Sequence, residues 1–169
     1  MDEEGKPKPN FGRPLQIGMV VKDAHRTADL LCELLGIGPF RFVEWPTSRP
    51  DMRSFFNGEP GDFRLLEAFA NFDNIELELI EPLGGQSGYS EYLAERGEGI
   101  HHMLFEVADL ENVVAWFKEK GISVKMGGTG NRPSTTWLHI DTVPILGWSL
   151  ELRNKVASSD GKSLPINVI

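Results

Sequence analysis

The stretch Gly97–Asp109, GEGIHHMLFEVAD, reads as a short strand carrying two adjacent histidines, His101 and His102, that runs through a turn into a helix. An earlier stretch, Leu15–Asp23 (LQIGMVVKD), has the same pattern. Laying one over the other puts Gln16 on His102, Val21 on Val107 and Asp23 on Asp109. Further along, Ile75–Glu81 (IELELIE) lies over Trp148–Asn154 (WSLELRN), which places Glu78 on Glu151. A strand, helix and strands unit that occurs twice, with a polar residue in the same place each time, predicts a pseudo-twofold fold with one shared site.

Local signals agree with the repeat. From Ala24 to Leu35 the apolar positions Ala28, Leu31, Cys32 and Leu35 recur at helical spacing, with Asp23 as candidate N-cap and Gly36 as C-cap. The same devices recur at Asp109 and Gly121, around a helix expected over Leu110–Lys120. Strands are expected at Leu15–Val21, Phe40–Trp45, Phe63–Phe72 and Ile75–Glu81, then at Ile100–Val107, Ile122–Met126, Thr135–Asp141 and Trp148–Leu152. Pro46 to Gly61 reads as a turn-rich surface insertion whose Arg49, Arg53, Phe55 and Phe56 offer a cover for a ligand. The expected division is a flexible arm over 1–14, a first module over 15–81, a linker with a short helix near Tyr89–Arg96 over 82–99, a second module over 100–154 and a tail over 155–169.

The bulk composition excludes several functions. Of 169 residues, 40% are apolar and 25% charged, as in a globular protein. A formal charge of -8 argues against a broad nucleic-acid surface, which Lys and Arg would have to neutralise. The start, MDEEGKPKPN, is no secretory signal, and no apolar run reaches membrane-spanning length, so no membrane partner and a cytoplasmic location are expected. The single cysteine, Cys32, occupies an apolar helical position and is expected to be a buried thiol.

The chemistry follows from strand alternation. Glu76 and Glu78 share one face of their strand, and Glu151 shares a face with Ser149 and Arg153. His102 goes with Leu104 and Glu106, and Gln16 with Gly18 and Val20, while His101 is expected to point away from the site. Each polar residue alone is an ordinary strand residue or a satisfied core histidine. At four equivalent positions they offer an amide oxygen, an imidazole and two carboxylates. Buried charges need partners, and a divalent cation is the simplest common one. Oxygen and nitrogen donors without thiolate suit Zn²⁺, Mn²⁺, Fe²⁺, Co²⁺ or Ni²⁺.

Through IGMVVKD, ELIEPLG at Glu78–Gly84 and RGEGIHHMLFEV at Arg96–Val107, the chain resembles the vicinal oxygen chelate superfamily over Leu15–Asn154. That superfamily includes glyoxalase I, methylmalonyl-CoA epimerase, extradiol dioxygenases and bleomycin-resistance proteins. The match is closest to the epimerase-like branch. The resemblance implies an α+β fold of paired βαβββ modules whose curled mixed sheets surround a central cup. It implies four metal ligands, Gln16, Glu78, His102 and Glu151, a quartet similar to that of eukaryotic glyoxalase I. Epimerases usually have histidine at the position of Gln16 and a Lys-Ser-Thr-Gly-Gly segment where this chain reads HIDTVPILGWSLEL, His139–Leu152.

The implied activity is that of a metal-dependent isomerase, epimerase or lyase that removes a proton beside a carbonyl of a small oxygen-chelating substrate. Glu151 takes the base role, with Glu78 handling a proton on the opposite face. Phe42, Phe55, Phe69, Trp137 and Trp148 are candidate apolar walls. The alternative is a non-catalytic small-molecule binding or resistance protein of the same fold. The resemblance also implies a homodimer.

Overall fold

The computed structural model describes residues 8–46, 52–130 and 135–154. Its elements in chain order are β1 (Gln16–Val20), α1 (Ala24–Leu35), β2 (Arg41–Trp45), β3 (Ser54–Phe56), β4 (Glu59–Pro60), β5 (Arg64–Phe72) and β6 (Ile75–Gly84). They continue with α2 (Gly88–Arg96), β7 (Gly99–Val107), α3 (Leu110–Glu119), β8 (Val124–Thr129), β9 (Thr136–Ile140), α4 (Val143–Leu146) and β10 (Ser149–Asn154). All ten strands join one sheet in the order β2-β5-β6-β1-β7-β10-β9-β8-β3-β4.

That order is the sequence repeat written in space. Going outward from the centre, β1, β6, β5 and β2 mirror β7, β10, β9 and β8, and the halves meet along the antiparallel pair β1 and β7. In each half the first strand runs parallel to the last, β1 with β6 and β7 with β10, and the remaining pairs are antiparallel. The registers agree too. Gln16 stands opposite Glu76 as His102 stands opposite Ser149, and the carboxylates lie two residues further on, at Glu78 and Glu151. Both modules therefore pair within one chain, in a curled mixed sheet with α1 and α3 on its outer face.

The N-caps Asp23 and Asp109 and the close of α1 at Gly36 are those read from the sequence, whereas α3 ends at Glu119 with Lys120 rather than Gly121 as its cap. Asp23 Oδ1 accepts from the Arg26 amide at 2.9 Å, and Gly36 closes α1 at φ 67°, a left-handed conformation that glycine adopts without a Cβ penalty. Asp109 Oδ1 accepts from the Asn112 amide at 2.9 Å at the start of α3. Behind the first half, Val21, Ala24, Ala28, Ala68 and Leu79 pack together; behind the second, Val107, Leu110, Val113, Leu138, Ile140, Leu150 and Leu152 do so. Phe11, in the expected N-terminal arm, joins the second cluster edge-on to Phe105, with ring centroids 5.8 Å apart.

Several expectations are corrected. The described part of the Pro46–Gly61 insertion is a hairpin rather than a surface loop, turning at Asn57 and Gly58 with φ of 52° and 81°. Its β3 adds to the outer edge of β8, burying Met52, Phe55 and Phe56. Cys32 is exposed. The inward stripe of α1 is narrow, formed by Ala24, Ala28 and Leu31, and the rest of the helix faces outward. The segment before β10 folds as the single turn α4, closed by Gly147 at φ 81°. Residues 1–7 of the arm, 47–51 of the insertion with Arg49, 131–134 and the tail 155–169 lie outside the described residues.

Candidate metal centre

Glu78, Gly18 and His102 stand in one row across β6, β1 and β7. The middle position is glycine, and the imidazole fills the space its side chain would take. A Cβ on Gly18 would sit 1.9 Å from His102 Cε1. Glu78 thus reaches His102 over a whole strand, with Oε2 3.2 Å from Nε2. From the other side Glu151, two residues past the Ser149 that pairs with His102, brings its Oε2 to 2.9 Å from the same nitrogen.

His102 is 0% exposed, and Glu78 and Glu151 are 7% and 8% exposed. Neither contact has hydrogen-bond geometry. Only two buried side-chain polar atoms among the described residues lack a hydrogen-bond partner, and His102 Nε2 is one of them. An orphaned buried nitrogen beside two carboxylate oxygens is costly without a further partner. Nitrogen and oxygen donors held about 2.1 Å from one divalent ion, at right angles, stand about 3.0 Å apart. The observed spacings fit that arrangement.

Gln16, also buried, lines the same cavity. Its Nε2 donates to Glu76 Oε1 at 2.8 Å, and since a carboxylate only accepts, the amide nitrogen must face Glu76. Oε1 is the end left over, with no hydrogen-bond partner among the described residues. The four positions singled out in the sequence therefore line one place, with Glu78 and Glu151 each in contact with His102 and Gln16 beside them.

Charge sets the state of the cluster when no ion is bound. Burial opposes a charged His102, but Glu151 first and Glu78 second outweigh it and raise its pKa to about 10. Burial raises Glu78 above the usual carboxylate range, against the lowering effect of His102. In the metal-free protein His102 therefore holds its proton well above the usual histidine range.

His101 does not point away from the site. The β1–β7 register slips by one residue at Gly18/Met19, a β-bulge that leaves His101 unpaired, and bulged neighbours can turn to the same side. His101 Nδ1 lies 3.2 Å from His102 Nδ1, with both rings buried. Burial, then the charge on His102, holds His101 well below the usual histidine range. It therefore accepts the Nδ1–H of His102, the outer hydrogen bond that a metal-bound histidine normally makes to a carboxylate or carbonyl.

Two further residues escaped sequence reasoning. His139, on β9 directly opposite Glu151, is 0% exposed, with Nδ1 3.0 Å from Ser149 Oγ and Nε2 3.1 Å from the Tyr89 hydroxyl. It was legible in part, because alternation puts it on the face of Trp137, already a candidate wall. Tyr89 comes from α2 and carried no such signal. Potential ligand atoms of His101, His102 and His139 also cluster within 4.8 Å. Both nitrogens of His139 already have partners, however, so this trio is a hydrogen-bonded surround and not a second ion site.

The cavity above the centre measures about 310 Å³, and Trp45, Phe69 and Trp137 supply its aromatic walls. Of the other expected walls, Phe42 lies on the opposite face, stacked on His25 at 4.1 Å, because it alternates with Arg41 along β2. Phe55 and Trp148 pack into the core behind β9 and β10.

A sequence profile of the Glyoxalase/Bleomycin resistance protein/Dioxygenase superfamily matches residues 15–135. Human mitochondrial methylmalonyl-CoA epimerase is 26% identical over 127 residues, 72% of this chain, and the match spans 64% of the human protein's length. Among solved structures, a Streptomyces coelicolor methylmalonyl-CoA epimerase in complex with 2-nitronate-propionyl-CoA superposes with a TM-score of 0.62 at 21% identity, covering 88% of this chain and all of that one. The Mycobacterium tuberculosis methylmalonyl-CoA epimerase gives 0.59 at 18%, over 85% and 88%. A hypothetical protein from Bacillus halodurans gives 0.61 at 19%, over 88% and 97%. With the paired modules and the buried His and Glu cluster, the profile match over most of the chain leads to one conclusion: this chain belongs to the glyoxalase, bleomycin resistance and dioxygenase superfamily.

Proposed function

We propose that the chain is a metal-dependent isomerase or epimerase, or a glyoxalase-like lyase, that moves a proton beside a carbonyl of a small substrate chelating through two adjacent oxygens. The observation that carries this reading is the orphaned His102 Nε2, 2.9 and 3.2 Å from two buried carboxylate oxygens. His102 Nε2, Glu78, Glu151 and the free amide oxygen of Gln16 are the residues that would hold a divalent Zn, Co, Ni, Mn or Fe ion. Such an ion supplies Lewis acidity for the negative charge that develops on the substrate oxygen as the proton leaves. Similarity to methylmalonyl-CoA epimerases supports this type of reaction.

Each residue has a part. Glu151 takes the proton from carbon. A carboxylate has two oxygens, so one can hold the ion while the other handles a proton. Glu78, on the far side of His102 Nε2 from Glu151, returns one on the opposite side. Trp45, Phe69 and Trp137 exclude water from the reacting carbon. The proposal includes a homodimer, for which the exposed Leu30, Leu34 and Leu35 of α1 offer an apolar face. Light scattering should then give twice the chain mass of 18.9 kDa.

Metal analysis of protein purified without added metal tests the reading, beside the Glu151→Gln variant. Near-stoichiometric divalent metal in the parent and less in the variant is expected. The loaded parent, unlike the variant, should then exchange hydrogen for deuterium in D₂O on enolisable ketones or acyl thioesters. A parent that takes up no Zn²⁺, Mn²⁺, Co²⁺, Ni²⁺ or Fe²⁺ on reconstitution overturns it in favour of a metal-free binding protein.

A further inference from the structure

Arg41 and Arg153 are the cations that line the cavity among the described residues, beside the carboxylates of Glu67, Glu76, Glu78 and Glu151. The two arginines differ in what they hold. Arg153 donates from Nε and Nη2 to Glu106 Oε1, at 3.2 and 2.8 Å. Arg41 forms no hydrogen bond or ion pair among the described residues, which leaves its five N–H donors unused. The strand register supplies the reason. The residue opposite Arg41 is Phe69, where a carboxylate could have paired with it, and the nearby Glu44 alternates to the other face of β2.

Phe69 also places the charge. The guanidinium carbon of Arg41 lies 4.8 Å from the centroid of the Phe69 ring, and Phe69 is itself a wall of the cavity. Phe69 in turn stands opposite Glu78, so Arg41, Phe69, Glu78, Gly18 and His102 form one row from the edge strand into the metal centre. With neighbouring strands about 4.8 Å apart, Arg41 and Glu78 stand about 10 Å apart at the backbone, both lining the same cup. A charge that only protected the edge strand would need no cavity wall beneath it. At the other end of β2 the cup is apolar. Trp45 and Trp137 meet edge-on with centroids 6.1 Å apart, and Trp137 Nε1 is committed to the Thr129 carbonyl at 3.1 Å.

We infer that Arg41 is a specificity-determining residue that binds a second carboxylate on the ligand, so that the site takes short dicarboxylates that chelate at one end. The match is one of shape and charge. A guanidinium presents paired N–H donors in one plane, as a carboxylate presents two oxygens. A carboxylate is also the anion this cup repels least, since the four carboxylates lining it oppose a doubly charged phosphate about twice as strongly as a singly charged group. A cavity of about 310 Å³ restricts the ligand to a small acid. The inference rests on the chelating site proposed above and names the second group its ligand carries.

Two matched pairs of probes test it: 2-oxoglutarate against 2-oxopentanoate, and malate against 2-hydroxybutanoate. Within each pair the chelating end is the same, and a methyl group replaces the far carboxylate. Affinities are measured by calorimetry on metal-loaded parent, Arg41→Met, Arg41→Lys and Arg26→Met, with metal content read on the same samples. Arg26 is exposed on α1, so its variant removes the same charge from outside the cup. In at least one pair the parent is expected to favour the diacid about tenfold or more beyond the ratio in Arg41→Met, the size of one charge-assisted contact. Arg41→Lys, which keeps the charge and loses the fork, should fall between them, and Arg26→Met should match the parent. Equal ratios in parent and Arg41→Met for both pairs, or the same drop in Arg26→Met, overturn this inference and leave the chelating site standing. A parent that holds no metal, or a loaded parent that binds none of the four acids, overturns the chelating site itself.

Discussion

Replacing Gly18 by alanine should remove metal binding while leaving the fold in place. The new Cβ would lie 1.9, 2.3 and 2.4 Å from His102 Cε1, Nε2 and Nδ1, whereas ordinary contact begins at 3.4 Å. The ring must move by roughly 1.5 Å, many times the ~0.2 Å tolerance of a metal–ligand distance. His102 is 0% exposed, so its ring cannot swing out to bulk solvent. Overpacking of this kind costs about 1–3 kcal/mol, and at about 2–4 °C per kcal/mol Tm should fall by roughly 2–12 °C. Metal affinity should fall at least about 100-fold, because the ring that moves carries the central nitrogen. Gly99→Ala is the control, on the adjoining strand, where an added Cβ meets nothing within 4 Å. Elemental analysis and metal titration of both variants, with thermal melts, read the result. A Gly18→Ala protein that binds metal with parent affinity would refute the assignment of His102 Nε2 as a ligand.

Other outcomes follow from the same geometry. His101→Leu should weaken metal binding about 10–100-fold by removing the acceptor of the His102 Nδ1–H, and His101→Asn, whose amide oxygen can stand in for Nδ1, should recover most of it; equal loss in both variants would reduce His101 to a packing role. With the His102 pKa raised to about 10, metal uptake at neutral pH should release about one proton and weaken as pH falls, seen as buffer-dependent heats in calorimetry; heats independent of buffer would contradict it. The sign for stability runs the other way. In metal-free protein the His102 ion pairs contribute fully below pH 6.5 and lose their effect as pH rises toward 10, so metal-free Tm should decline across that window. Asp23→Ala should cost about 1 kcal/mol through loss of the 2.9 Å cap on α1 and leave metal affinity unchanged, which melts and titration will show.

What was legible in the sequence is what repeats or alternates. The overlay of LQIGMVVKD on GEGIHHMLFEVAD places Gln16 and His102 at equivalent points, and the period of two along IELELIE and WSLELRN puts Glu78 and Glu151 on a common face. Helix caps at Asp23 and Asp109 are local chemistry and need no partner strand. Tertiary structure alone decided the rest, because it depends on which strands become neighbours. Gly18 is an unremarkable strand glycine until β6 and β7 flank it, and only then does its missing side chain let Glu78 meet His102. A one-residue bulge, invisible in the spacing, turns His101 toward His102. Asn57–Gly58 marks a hairpin, but its docking on β8 and the burial of Phe55 depend on an edge some seventy residues away. Tyr89 enters the cavity from a helix outside both repeats, and its hydrogen bond to His139 exists only because α2 packs across the sheet. A linear pattern states which face a side chain takes; the distance between two faces is set by folding.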